Sequence, residues 1–259
     1  MYPREIIFGM TLYDILMGVG VIVAMLIFRY FSDREKFDAK YHNFVLGVAV
    51  ATVIGGYFGA VALQAVWNAL GGGKFSIGKN TGATFFGGLL GGAAVFFAVY
   101  FIAGRFVFKD GLHKKKIYSL VNILAVSIPA AHSIGRIGCL TAGCCHGAAT
   151  DAWYGIHMEN PGYRVIPVQL YEAVFLAILA AVLFILCRRG FRFCMPVYMI
   201  SYSVWRFFIE FLRGDDRGSS FIPALSPSQL ISVLLFLGGA VLLFLLVRRD
   251  RKLKESSAG

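Results

Sequence analysis

Hydrophobic residues run almost unbroken through seven stretches of the chain, near 8–28, 43–67, 83–104, 117–140, 168–187, 194–212 and 227–247. Stretches of this size hold about 20 helical residues, the length that crosses a hydrocarbon core. Strands of a membrane barrel would instead alternate apolar and polar positions over short segments. Backbone groups inside lipid must be satisfied internally, which leaves helices or a closed barrel. The unbroken runs therefore predict an all-α, polytopic membrane helix bundle of about seven transmembrane helices. The whole of 1–259 reads as a single integral membrane domain. The first run reads as the first helix and not as a signal peptide: no small-residue cleavage site follows it, and Arg29, Arg34 and Lys36 come after it.

Composition excludes an ordinary soluble domain. The chain is 58% hydrophobic and 15% charged, against roughly 25% charged residues in a globular protein. A net charge of +11 invites a nucleic-acid reading, but its distribution argues against one. Of the 25 Lys and Arg residues, 17 lie in the connectors 29–42, 105–116 and 188–193 or in the tail from 248. Basic loops stay cytoplasmic, so the N-terminus is expected outside and the C-terminus inside, with Lys114, Lys115 and Lys116 as a topology signal. A reporter fused after Lys254 should read cytoplasmic; an extracellular readout there would overturn the orientation.

Glycine pairs four apart, Gly55 with Gly59, Gly87 with Gly91 and Gly88 with Gly92, allow close helix–helix approach. They leave two readings open: tight packing, or room for a lipid chain beside the third helix. The two long outer connectors, 68–82 and 141–166, are rich in Gly, Asn, Thr and aromatics, and a lid or acceptor-binding region fits there. Trp153, Tyr154 and Tyr163 read as an interfacial aromatic belt.

Polar residues at membrane depth are costly and face the bundle interior or a water-filled cavity. Tyr202, Arg206, Glu210 and Arg213 are spaced four, four and three, so they share one helical stripe. His132 and Arg136 stand four apart at the end of the fourth run, followed by Gly138, and Gln169, Tyr171 and Glu172 open the fifth. Three arginines then meet two glutamates, leaving a surplus of one positive charge that suits an anion such as a lipid phosphate, which arginine grips with paired donors. The competing reading is an internal ion-pair network that only holds helices together. His132 reads either as a packing residue or as a general base or phosphate ligand.

Three of the five cysteines, Cys139, Cys144 and Cys145, crowd together with His146. Thiolate and imidazole suit zinc or another soft metal, but C-x4-C-C-H lacks the usual C-x2-C knuckle. A local disulfide, simple packing and a reactive thiol remain open beside the metal reading.

Four segments carry a family resemblance. Gly135-Arg136-Ile137-Gly138, Gln169-Leu170-Tyr171-Glu172, the helix from Tyr202 to Arg213 and Ser226-Pro227-Ser228-Gln229-Leu230 resemble, in order, the signatures of prolipoprotein diacylglyceryl transferases, over roughly the C-terminal two-thirds of the chain. The resemblance implies a bacterial cytoplasmic-membrane transferase. It would move diacylglycerol from phosphatidylglycerol onto the lipobox cysteine of a prolipoprotein signal peptide, releasing glycerol phosphate, with no cofactor and no nucleic acid. It also implies that Arg136 and Arg206 are the essential arginines, with Glu210 following as in the family pattern. We take Arg136, Arg206, Glu210 and His132 as catalytic candidates, and Gln169, Tyr171, Glu172, Tyr202, Arg213 and Gly138 as substrate-binding candidates. The chain departs from the pattern at two places. Phe86 stands where a histidine precedes Gly-Gly-Leu, and Cys139 with the Gly143–Gly147 segment replaces the expected asparagine and Gly-Glu. A changed acceptor, or a non-enzymatic lipid-binding, metal-binding or redox protein on the same scaffold, is the alternative reading.

Overall fold

Every apolar run forms a helix. A computed structural model describes residues 5–7, 9–70, 76–78, 81, 84–159, 161–214 and 224–258. A short antiparallel hairpin, β1 (Glu5–Ile7) and β2 (Met10–Thr11), leads into α1 (Leu12–Arg34) and α2 (Ala39–Leu70). The third helix, α3, begins as Phe85–Ala98, passes through a π turn at Val99–Ala103 and ends at Gly104–Val107. Then come α4 (Leu112–Ala142), a second small hairpin of β3 (Ile156–His157) and β4 (Arg164–Val165), α5 (Val168–Arg188), α6 (Cys194–Ile209) and α7 (Pro227–Ala258).

Six of these helices are long and apolar enough to cross a membrane. The exception is α6, whose 16 residues span about 24 Å at 1.5 Å per residue, short of a ~30 Å hydrocarbon core. Its last turn tightens into a 3-10 helix at Glu210–Leu212, where the polar stripe ends the apolar run. Helices also extend beyond the apolar runs at the basic connectors. Lys114, Lys115 and Lys116 lie in the first turns of α4 rather than in a loop. A 31-residue helix outreaches the hydrocarbon, so its basic end sits where long side chains reach water. Lys74, Lys79, Arg217 and much of the 68–82 connector lie outside the described residues, as does the side chain of Phe86.

The chain divides into two compact units, 32–118 and the remainder. In the first, α2 and α3 pack through their glycines. A Cβ added at Gly59 would collide with the carbonyl of Gly87 and stand 2.9 Å from Cα of Gly91, and one added at Gly87 would strike the Gly59 carbonyl. The glycine pairs therefore serve backbone-to-backbone packing, and no lipid-sized space remains along that contact. Gly59→Leu should be destabilising by at least the ~1–3 kcal/mol of ordinary overpacking, read as a lowered melting temperature in detergent. An unchanged melting temperature would refute the contact. The same unit buries Tyr41 and Tyr100, joined hydroxyl to hydroxyl at 2.8 Å, and Tyr100 donates to the His113 carbonyl at 2.6 Å. The π turn brings Tyr100 to that position.

In the second unit, α1 lies against α4: a Cβ on Gly138 would stand 3.2 Å from the Tyr13 ring, and one on Gly20 3.1 Å from the Ala131 carbonyl. Ser133 donates to the Ala173 carbonyl at 2.8 Å and ties α4 to α5. Trp205 stacks on Phe175 at 4.4 Å and ties α5 to α6. In both units outward positions stay apolar, with Val53 69% and Phe106 75% exposed in the first and Ile178 60% in the second, the inverse of a soluble fold and the pattern of a lipid-facing surface.

Candidate functional site

The polar residues of α4, α5, α6 and the start of α7 gather into one buried network. Glu172, only 1% exposed, is its hub. Tyr202 donates a hydrogen bond to Oε1 of Glu172 at 2.9 Å, Nε of Arg136 stands 3.0 Å from Oε2, and Nε2 of His132 lies 3.9 Å from Oε1. The His132 ring also meets Tyr202 edge-on at 5.4 Å, and Tyr202 stacks on Tyr198. Helical spacing explains the convergence. His132 and Arg136 share one face of α4, Gln169 and Glu172 one face of α5, and Tyr202 and Arg206 one face of α6.

A second carboxylate anchors Arg206. Its Nη2 pairs with Oε2 of Glu210 at 2.7 Å and donates to the Ser228 hydroxyl at 2.9 Å. The other terminal nitrogen, Nη1, is buried and has no hydrogen-bond partner among the described residues. Glu210 accepts a further bond from the Ser226 hydroxyl at 2.9 Å. Ser226 belongs to a capping box: the Gln229 N–H donates to the Ser226 hydroxyl at 3.2 Å, and the Ser226 N–H donates to Oε1 of Gln229 at 3.0 Å. Such reciprocal bonds satisfy the open N–H groups of a helix start, with proline suited to the first helical position. The Ser-Pro-Ser-Gln segment thus starts α7 and holds the Arg206–Glu210 pair. Ser226 and Ser228 were absent from the candidate residues, although the S-x-x-Q spacing around Pro227 was readable.

The remaining candidates have distinct places. Gln169, fully buried, donates to the Cys144 carbonyl at 2.6 Å. Arg213 ends the 3-10 turn and forms a backbone bridge with Gly147. Gly138 lies against Tyr13. The Tyr171 side chain is half-buried and makes no hydrogen bond among the described residues.

Backbone hydrogen bonds lace the connector between α4 and α5. Gly147 donates to the Ile166 carbonyl at 2.8 Å, Ala148 to Leu212 at 2.9 Å, and Ile166 to Ala148 at 3.0 Å. This lacing joins the end of α4 to the entry of α5 and the exit of α6. Only glycine fits at 147, where a Cβ would stand 2.7 Å from both Ile166 and the Leu212 carbonyl. Trp153, Tyr154 and Tyr163 are exposed, Trp153 at 89%.

The sulfurs of Cys139, Cys144 and Cys145 lie within 4.8 Å of one another, and no disulfide joins them. His146 stands apart from this group, with Nδ1 2.9 Å from the Gly147 carbonyl. His132 likewise contacts Glu172 and Tyr202 rather than a cysteine. Hydrogen bonding with Cys139, then Cys145, pushes the Cys144 thiol above its ordinary range.

The family model for prolipoprotein diacylglyceryl transferase matches residues 5–245 of the chain. The chain belongs to that family. It is similar to phosphatidylglycerol–prolipoprotein diacylglyceryl transferase 2 of Clostridium perfringens, at 30% identity over 251 residues covering 91% of each chain. It also resembles the enzyme of the same name from Clostridium tetani, at 27% identity with 88% of this chain and 90% of the relative covered. The relative in Campylobacter curvus is 26% identical, covering 92% and 90%. As a diacylglyceryl transferase family member, the chain places its four signature segments around one ion-pair network, and its cysteine segment borders the same network.

Proposed function

We propose that this multi-pass membrane protein transfers the diacylglyceryl group of phosphatidylglycerol to the lipobox cysteine of a prolipoprotein in a bacterial cytoplasmic membrane. The observation that carries the reading is Arg206: a buried guanidinium with one terminal nitrogen engaged by Glu210 and Ser228 and the other without a hydrogen-bond partner among the described residues. Buried donors are rarely left so, and a phosphate oxygen is a fitting acceptor. Arg136, held through Nε by Glu172, supplies the second cation.

In this reading the peptide thiolate attacks the glyceryl carbon that bears the phosphate ester. The carbon–sulfur bond forms as the carbon–oxygen bond breaks, and the electron pair leaves with glycerol phosphate. Arg136 and Arg206 stabilise the charge that gathers on that leaving group. His132, whose side chain is 29% exposed, takes the thiol proton, and Glu172 with Tyr202 orients its ring. A pocket of about 210 Å³ between α6 and α7, lined by Ser203, Phe207, Ser232 and Phe236 among others, begins one turn from Arg206 and Ser228. It suits part of an acyl chain. The basic connectors orient the chain with its C-terminus in the cytoplasm.

The test is incubation of the detergent-solubilised chain with labelled phosphatidylglycerol and a lipobox peptide. A thioether-linked diacylglyceryl peptide and an equal yield of glycerol phosphate are expected. Glycerol phosphate without lipidated peptide would redirect the reading to another acceptor, and neither product would end it. Because His132 carries the proton here, Phe86→His should leave the transfer rate within about twofold, whereas a general base is worth about 10²–10⁴-fold. A large gain in Phe86→His would remove His132 from the role.

A further inference from the structure

The cysteine cluster takes no part in the transfer chemistry above, and its geometry is that of a ligand set. Cys139 lies in the last turn of α4, whereas Cys144 and Cys145 follow the helix end. Bringing all three sulfurs within 4.8 Å requires the chain to turn back on itself. Gly143 and Cys145 do this with φ of 71° and 61°. A left-handed backbone is uncommon for a residue with a side chain, and Cys145 is one of two such residues among those described, the other being Lys36. The turn is held from outside as well: Gln169 clamps the Cys144 carbonyl, and Gly147 is laced to Ile166.

We propose that Cys139, Cys144 and Cys145 form a three-thiolate site for one thiophilic d10 cation, zinc or copper(I), at the edge of the Arg136–Glu172 network. Metal–sulfur bonds of about 2.3 Å set neighbouring sulfurs about 3.8–4.0 Å apart in tetrahedral or trigonal geometry, so the cluster needs to contract by less than about 1 Å. Soft thiolates select such cations over calcium or magnesium. Cys144 is exposed and provides the entry path. Binding forms three metal–sulfur bonds and releases the thiol protons; no oxidant or reductant is needed. Charge is compatible, since Arg136 stands one turn before Cys139 on α4. His146 lies outside the set, so the fourth position of a zinc ion falls to water or to an incoming ligand. The cation also closes the 139–145 turn, which keeps Gln169 on the Cys144 carbonyl and α5 in register with Arg136.

The experiment uses the full chain in detergent, purified under reductant, with zinc and copper(I) titrated separately against competing chelators. One equivalent per chain is expected for at least one of the two cations. Cobalt substitution should give a thiolate-to-cobalt charge-transfer band, and metal should protect three of the five thiols from alkylation. Cys139→Ser, Cys144→Ser and Cys145→Ser should each weaken binding by more than about 100-fold, because even outer-shell partners are worth about 10- to 100-fold. The double variant Cys187→Ser/Cys194→Ser should bind as the wild type does, so the site remains testable even where a cluster variant fails to fold. Absence of stoichiometric metal, an unchanged stoichiometry in the triple serine variant, or two fewer titratable thiols in the Cys187→Ser/Cys194→Ser variant isolated without reductant would overturn the proposal. The last result would mark the cluster as a disulfide. These readouts are independent of lipid transfer, so failure of the transferase reading would leave the site standing.

Discussion

Glu172→Ala should cost this protein more stability than any other single change in the polar network. Glu172 is almost fully buried and serves three partners, the Arg136 guanidinium, the Tyr202 hydroxyl and the His132 ring. Alanine leaves a buried cation without its counter-charge and a buried hydroxyl without its acceptor. Breaking a buried ion pair from one side costs about 3–5 kcal/mol, because the remaining charge stays desolvated. The orphaned hydroxyl adds about 1–3 kcal/mol. Glu172→Gln should be milder: it keeps an acceptor for Tyr202 and loses only the charge. Arg136→Ala should also cost less stability, since Glu172 retains the Tyr202 bond, yet it should remove transfer as fully as Glu172→Ala does. Thermal unfolding in detergent and transfer on the same three variants would show this ordering. A wild-type melting temperature in Glu172→Ala would mean that the hub does not exist.

Arg206→Ala should reduce transfer by about 10- to 150-fold, the equivalent of the roughly 1.5–3 kcal/mol carried by a hydrogen bond to a charged group. It should also destabilise the fold, since Glu210 is left buried with Ser226 alone. The two effects separate in the double variant. Arg206→Ala with Glu210→Ala removes both charges, so stability should recover relative to Arg206→Ala while transfer stays low. Arg206→Lys should restore part of the rate, because a point charge cannot reproduce forked donors, and it should restore little of the Ser228 contact. If the double variant recovered transfer along with stability, Arg206 would be a structural ion-pair partner and the phosphate reading would fall. Transfer at the wild-type rate in Arg206→Ala would sink it outright.

The helices were legible because apolar runs of membrane length have one economical way to satisfy their backbone. The stripe Tyr202, Arg206, Glu210 was legible too, since a period of 3.6 residues places those side chains on one face, and the Arg206–Glu210 pair is an i, i+4 contact within a single helix. The start of α7 was written locally in Ser226, Pro227 and Gln229. Pairings across helices were not legible. Glu172 of one helix meets Arg136 of another at 3.0 Å, and Ser228 reaches Arg206 from another helix. Both depend on the depth and rotation of separate helices, which no local period encodes. The glycine pairs announced close approach, but only the α2–α3 contact decided that they pack helix on helix and leave no lipid groove. The cysteine spacing left packing, disulfide, reactive thiol and metal all open. The three sulfurs meet only because Gly143 and Cys145 turn the chain left-handed beyond α4, and because Gln169 of α5 holds that turn from across the bundle.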